Sequence, residues 1–394
     1  MRHGLFIAFT LTACLLTAAV PLSAQDLRIG AVFEEPEAKR FVASLAEKNQ
    51  TQEQWVERSK VIRQHIKSTL GLDHQPTPCD LSPLVTATHK FDGYSVDNIA
   101  IQTLPGFWLT GNLYRPNEPG KSIPGILSPH GHWKDGRTRE DQQKLSAALA
   151  RAGAVVFSYD MVGFEESRPV DHKHPQVLKL QTYNSIRALD YLCSMPNVDQ
   201  TRLGCTGASG GATQTFLLAA VDDRLDVSVP VCQVSAHYYG GCICESGLPI
   251  HVGPHHETNN VEIAASFAPK PQLIVSNGED WTKNCPEVEF PFIKRIYELN
   301  KAGDQVEHAH FASEGHDYGP SKRTAAVLFL CKHLSLQPQL SENGDLDLSF
   351  VTIQPMEDLK VFPNDADRPA NAVKSADEVF QSLTPPSVPN GSAD

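Results

Sequence analysis

The chain has 394 residues, 41% of them hydrophobic, and a formal net charge of −12 at pH 7. That length buries an ample core, in one large domain with extensions or in two. An acidic chain without a basic cluster is a poor partner for nucleic acid or an anionic membrane surface, and nine cysteines are too few at this length for a disulfide-built scaffold.

Residues 1–24 read as a secretory signal. Arg2 and His3 open it, Leu5 to Val20 form an apolar core, and Pro21-Leu22-Ser23-Ala24 offers a small-residue cleavage site before Gln25. The core is short for a membrane span, so a periplasmic or extracellular destination is expected. Leu11-Thr12-Ala13-Cys14 also fits a lipoprotein cleavage box, but a cut there would leave Leu15-Leu16 bare at the new terminus.

Residues 25–75 read as an N-terminal helical extension. Pro36 to Glu47 is one helix; Thr51-Gln52-Glu53-Gln54 is a capping box that opens a second. Trp55, Ile62, Ile66 and Leu70 share one face of it, and Gly71 stops it.

Residues 76–335 form the main domain. The apolar period changes to two over Val85–Phe91, Tyr94–Thr103 and Trp108–Tyr114, with Gly93 and Pro105-Gly106 as turns, which predicts antiparallel strands. Short, continuous apolar runs follow at Gly125–Ser128, Ala154–Tyr159, Leu203–Thr206, Val227–Cys232, Leu273–Ser276 and Val306–Phe311. Helical stretches, among them Asp141–Ala152 and Val177–Leu192, separate them. Strands buried on both faces and linked by helices make a mostly parallel central sheet with helices on both sides, an α/β fold. Residues 336–394 are a polar extension: Leu346, Leu348 and Phe350 alternate enough for one strand, and the stretch from Ser382 reads as disordered.

The chemistry is carried by Gly207-Ala208-Ser209-Gly210-Gly211, between the predicted strand at Leu203–Thr206 and a helix-like run at Ala212–Ala220. Glycines around a serine at a strand-to-helix turn form a nucleophile elbow, which holds the hydroxyl up at the sheet edge with N–H groups facing the oxygen under attack. A hydroxyl of ordinary acidity needs a base and a group that orients the base. His316 follows the last predicted strand and is the candidate base; Asp280 follows the strand before it and is the candidate orienting carboxylate, with Glu279 and Glu287 as alternatives. The chain order Ser…Asp…His is that of α/β-hydrolases. Because His316 must start neutral, activity is expected to fall at acid pH. Gly210 should supply one oxyanion donor, and Gly131 or His132, in the loop Ser128-Pro129-His130-Gly131-His132-Trp133, the other.

Residues Gln233–Asn260 are expected to lie over the site. His237 and Tyr238 there, with Trp133 and Trp281 from other loops, offer aromatic faces and polar edges to a hydroxyl-rich ligand. The segment and its surroundings also hold His172, His174, His237, Cys242, Cys244, His251, His255 and His256, but their spacings match no standard zinc pattern. No metal and no cofactor is expected. Cys205 and Cys232 read as buried thiols, and an oxidising compartment would allow one bridge among Cys242, Cys244 and Cys285.

With these motifs in place, the chain resembles the secreted acetyl-xylan-esterase-like branch of the α/β-hydrolases, related to dienelactone hydrolases and prolyl-oligopeptidase catalytic domains. The resemblance rests on Leu104-Pro105-Gly106-Phe107, Gly111-Asn112-Leu113-Tyr114, Ser128-Pro129-His130-Gly131-His132 and Tyr159-Asp160-Met161-Val162-Gly163. It continues through Thr206-Gly207-Ala208-Ser209-Gly210-Gly211, Asn259-Asn260-Val261-Glu262 and Asp280-Trp281-Thr282-Lys283-Asn284. It implies that Ser209, Asp280 and His316 occupy triad positions and that the enzyme removes acetyl or similar acyl groups from small-molecule or oligosaccharide esters. Three departures bear on the substrate. The Arg-Gly-Gln motif of cephalosporin-C-deacetylase-type acetyl esterases is missing. The arginine that glucuronoyl esterases carry beside the serine is absent, since Ala208 and Gly210 flank it here, which counts against a uronate ester. No propeller-sized segment precedes the hydrolase, which counts against a size-gated peptidase. A peptidase or amidase on the same fold and a non-catalytic carbohydrate-binding relative are the alternatives; the oligomeric state is left open.

Overall fold

The computed structural model describes residues 27–384; the expected signal and Cys14 box, and the tail beyond Thr384, lie outside them. Two helices lead: α1 (Glu35–Lys48) and α2 (Gln52–Thr69). The Thr51 hydroxyl accepts from the Gln54 N–H, and the Gln54 side chain accepts in return from the Thr51 N–H. Trp55, Ile62 and Ile66 are buried on α2, as the spacing predicted, and Gly71 closes the helix at φ 64°.

The strands β1 (Leu84–Lys90), β2 (Tyr94–Leu104) and β3 (Phe107–Pro116) form an antiparallel meander. Next come β4 (Ile123–Leu127), α3 (Glu140–Arg151), β5 (Val155–Tyr159), α4 (Val177–Ser194), β6 (Val198–Ala208), α5 (Gly210–Val221) and β7 (Val227–Val231). After β7 lie α6 (Ile243–Ser246), a ribbon of β8 (Val252–Gly253) with β9 (His256–Glu257), and α7 (Asn260–Ala265). The core closes with β10 (Gln272–Asn277), α8 (Glu289–Leu299), β11 (Val306–Phe311) and α9 (Pro320–Leu334). The sheet order is β1-β2-β3-β5-β4-β6-β7-β10-β11, antiparallel as far as the β3–β5 pair and parallel from there on. This is the α/β-hydrolase fold, with helices on both faces.

Burial on both faces explains the unbroken apolar runs. Val155 and Phe157 pack on the side of α4 and α5, whereas Val156 between them packs on the side of α3 and α9; Ile274 faces the first core, and Leu273 and Val275 the second. No helix among the described residues is long and apolar enough to cross a membrane.

The C-terminal extension is strapped to the domain by a buried ion-pair network. Arg137 bonds Asp160 and Glu166 at 2.5 and 2.6 Å, and Glu166 accepts from the N–H groups of Val361 and Phe362 at 2.9 and 2.6 Å. Short helices α10 (Met356–Leu359) and α11 (Ala376–Ser382) follow this path. The strand expected at Leu346–Phe350 does not form: Leu346 makes only an isolated bridge to Leu340. The Asp347 carboxylate accepts from the Ser349 N–H at 2.9 Å and Val351 N–H turns back to the Leu348 carbonyl, so side chain and turn compete with any ladder. Phe350 lies instead beneath the Arg151 guanidinium and against Tyr94.

Candidate active site

All the residues with chemistry in prospect sit in loops at the carboxyl ends of parallel strands, where such folds leave a crevice. The elbow comes first. Ser209 links β6 to α5 at φ 56°, ψ −123°, a conformation that costs a non-glycine residue strain. Its neighbours must be glycine because the β4 loop passes through the space a side chain would fill. A Cβ on Gly207 would stand 2.4 Å from the Pro129 carbonyl oxygen, and one on Gly211 would stand 2.2 Å from it. Gly210 opens α5, while the N–H groups of Ala212 and Thr213 bond back to the Ser209 carbonyl, so the Gly210 N–H has no partner within the helix.

Asp280 and His316 are brought together by main chain. The β10–β11 ladder continues past the strands: Gly278 N–H bonds the Phe311 carbonyl at 3.0 Å and Glu279 N–H the Glu314 carbonyl at 3.1 Å. A Cβ at 278 would lie 1.9 Å from the Ala312 carbonyl oxygen; only glycine lets the two loops close. Asp280 Oδ2 accepts from His316 Nδ1 at 2.8 Å and from the Asn277 amide, while Oδ1 accepts from the Thr282 N–H and hydroxyl at 2.7 and 2.6 Å. With both oxygens engaged, the carboxylate cannot rotate away, and His316 Nε2 is the ring nitrogen left for chemistry. Buried Lys322 fastens the next turn, bonding the Gly315 carbonyl at 2.9 Å and the Asp317 carboxylate at 2.6 Å.

Ser209 and His316 line one cavity of about 400 Å³ with His132, Trp133, Tyr238, Gly241, Cys242, Glu245 and Trp281. Ser209 is 8% exposed, so the cavity is its approach. The His316 ring is 4.3 Å from Trp281 and 5.6 Å from Trp133 (centroid to centroid), and Tyr238 stacks on Trp281 at 4.2 Å. A larger cleft of about 1010 Å³ runs beside α2, away from Ser209.

His130 sets the β4 loop. The Met161 N–H donates to its Nε2 at 2.9 Å, so its proton is on Nδ1, which donates to the Gly131 carbonyl at 2.8 Å. Full burial depresses its pKa to about 3, and the ring stays neutral. The adjoining His132 ring stands where a side chain at 210 would go, 2.5 Å from that Cβ position.

The structure thus gathers Ser209, His316, Asp280, Gly210, His132, Trp133, Tyr238 and Trp281 at one place; a Cβ on Gly131 would meet the Trp133 ring and the Ala208 carbonyl oxygen, which puts that loop against the elbow. His237 does not line the cavity. Its Nδ1 pairs with the Ser235 hydroxyl at 3.1 Å, and its carbonyl accepts from the Val32 and Phe33 N–H groups, so it anchors the N-terminal segment while Tyr238 takes the inward place.

Sequence reasoning missed Cys242 and Glu245 as cavity residues. Glu245 caps the N-terminus of α6 by accepting from the Cys242 N–H at 3.0 Å, and burial raises its pKa. It also missed that His172, Cys242 and Cys244 meet His132: one ligand atom from each lies within 4.8 Å of all the others. His174, His237, His251, His255 and His256 stand apart from that group. The signal was invisible because the four residues come from three loops. Cys242, Cys244 and Cys285 are free thiols. Contact with Cys244, and then with His132 and His172, holds the Cys242 thiol far below its usual range.

Fold and site together define an esterase-like serine hydrolase of the α/β-hydrolase class. The sequence matches the X-Pro dipeptidyl-peptidase (S15) family over residues 106–298. It is 37% identical over 251 residues to a Bacillus subtilis (strain 168) protein that bears the provisional name hydrolase YtaP, spanning 56% of this chain and 82% of the relative. Among solved structures, Methylesterase BT1017 superimposes with a TM-score of 0.83 at 38% identity, covering 89% of this chain and 79% of that one. A Bacteroides fragilis protein, provisionally an acetyl xylan esterase, shares the fold at a TM-score of 0.53 and 15% identity, covering 66% of this chain and 76% of that one. The chain belongs to the α/β-hydrolase family that holds Methylesterase BT1017 and the B. subtilis hydrolase.

Proposed function

We propose that the chain is a serine carboxylesterase acting on a small ester group carried by a carbohydrate. The observation that carries the reading is one cavity lined by both a strained serine and a histidine whose other nitrogen is locked to a carboxylate. Ser209 attacks the ester carbonyl as His316 Nε2 takes its proton. The Gly210 N–H and an N–H of Gly131 or His132 hold the oxyanion. His316 then protonates the departing alcohol, and water releases the acid by the reverse roles.

The Tyr238, Trp281 and Trp133 rings that line the cavity offer aromatic surface to a sugar. Of the two ester types, a methyl ester of a sugar carboxylate is favoured by the likeness to Methylesterase BT1017. The arginine that glucuronoyl esterases carry beside the serine is absent, and the His132 ring takes that space, so such an ester would be cleaved here without that cation. An acetyl ester on a sugar hydroxyl, which the sequence motifs suggested, is the second reading. We also propose export, on the pattern of residues 2–24; N-terminal sequencing of the mature protein, beginning at Gln25, tests it.

Purified protein incubated with methyl-esterified pectin, acetylated xylan and a peptide anilide decides among the readings. Methanol release is the expected result. Acetate alone would shift the reading to acetyl esters, and anilide cleavage without ester cleavage would replace it by a peptidase.

A further inference from the structure

The cluster of His132, His172, Cys242 and Cys244 is not needed by the reaction above, and hydrogen bonding alone does not account for it. His172 Nδ1 donates to the Val162 carbonyl at 2.6 Å, so its Nε2 is a bare lone pair. That lone pair faces His132 Nε2 at 3.1 Å and Cys242 Sγ at 3.3 Å, and His132 Nε2 lies 2.9 Å from Cys244 Sγ. Two imidazole nitrogens and two sulfurs converge on a common centre. A tetrahedron built on the usual Zn–N and Zn–S lengths has edges of about 3.3–3.8 Å. The observed contacts start just below that range, and every separation stays within 4.8 Å, so a small adjustment of side chains suffices. The Val162 carbonyl that fixes the His172 ring is the kind of outer partner that metal-bound histidines have.

We propose that these four side chains bind one zinc(II) ion. The donor set is too soft for magnesium or calcium, and four protein ligands make a closed site rather than one that activates water. Binding displaces the proton of each thiol that still carries one and the proton on His132 Nε2, which is released or moves to Nδ1 of that ring; no other bond changes. The ion ties three loops together: that after β4 through His132, that after β5 through His172, and that after β7 through Cys242 and Cys244. Because the His132 ring lies against Gly210, the ion also steadies the backbone that faces the Ser209 oxygen. Its role is to position, and the triad performs the chemistry.

The test is metal content, which is independent of esterase activity. Protein purified from cells grown with trace zinc and never exposed to a chelator should hold about one zinc per chain by mass spectrometry, as a closed four-ligand site retains its ion. Ser209→Ala protein should hold the same amount, and the double variant Cys242→Ser/Cys244→Ser should hold none. Cobalt(II), introduced in place of zinc into the unsubstituted chain, should give the intense visible bands of tetrahedral coordination together with thiolate charge transfer. That measurement stands even if the double variant fails to fold. Wild-type protein without zinc that also takes up none when it is added, copper in its place, or a Cys242–Cys244 disulfide in freshly isolated protein would each overturn the assignment.

Discussion

The two walls of the cavity are held by different means. On one side, Ser209, Asp280 and His316 stand at the ends of the parallel strands β6, β10 and β11, and main-chain contacts at Gly207, Gly211 and Gly278 fix their spacing. On the other side, Tyr238, Gly241, Cys242 and Glu245 belong to a long excursion between β7 and β10. No sheet register holds that excursion: its contacts are the Glu245 cap, the Tyr238–Trp281 stack, the cysteine–histidine cluster and a short main-chain pairing of Gly30–Val32 with His237–Gly240. A wall built on sheet register has little freedom to drift in evolution or in solution. A wall built on side chains is free to change the ligand it admits. On the proposed function, chemistry falls to the first and selectivity to the second.

The sharpest way to break the comparison is at the first wall. Ser209→Ala should lower kcat on a short-chain nitrophenyl ester on the order of a million-fold, and Asp280→Asn about ten-thousandfold. A near-normal rate for the aspartate variant would move the orienting role to Glu279 or Glu287. Gly278→Ala probes the main-chain clasp without touching a reacting group. Its methyl must push the Ala312 carbonyl away, and displacing His316 by about an ångström should cost roughly a hundredfold in kcat with circular dichroism unchanged. An unaffected kcat in folded protein would show that the strand ends do not set the triad spacing.

The same contrast explains what could be read in advance. The elbow, the loops of Asp280 and His316 and the nine strands of the central sheet were legible, because each is a local pattern: an apolar run, then glycine or a turn, then a polar side chain. The order of strands and helices then left few ways to assemble them. The second wall was legible only as a loop rich in aromatics and histidines. Tyr238 lines the cavity and His237, its neighbour, does not; adjacent side chains in an irregular segment point in unrelated directions, and no periodicity distinguishes them. The metal-type cluster was dismissed for the same reason. Spacing along the chain is informative only when the ligands share an element, and His132, His172 and Cys242 do not. The missing strand at Leu346–Phe350 is the converse case: a true alternation overruled by the Asp347 carboxylate accepting from the Ser349 N–H.

Acid should loosen the first wall through His130. Its pKa falls from 6.5 unfolded to about 3 folded because burial penalises the charged ring. The unfolded chain therefore binds the extra proton between those values, and this contribution to stability is complete above 6.5 and is lost as pH falls toward 3. Between pH 7 and pH 5 the loss should be on the order of 2 kcal/mol, seen as a lower urea midpoint. His130→Gln keeps an acceptor for the Met161 N–H and cannot titrate, so its midpoint should change less over that interval. An equal change in both proteins would assign the acid sensitivity elsewhere.

The smallest expected effect comes from the second wall, and it bears most directly on the division of labour. Tyr238→Ala removes one ring of the Tyr238–Trp281 stack and leaves every group bonded to Asp280 and His316 in place. An aromatic contact of this kind is worth about 1 kcal/mol, which corresponds to a rise in KM of roughly fivefold for a sugar ester. For a nitrophenyl ester with no sugar the change should be slight, and kcat should hold for both. If kcat falls for both substrates instead, Tyr238 supports the His316 ring through Trp281, and the second wall takes part in the chemistry as well as in recognition.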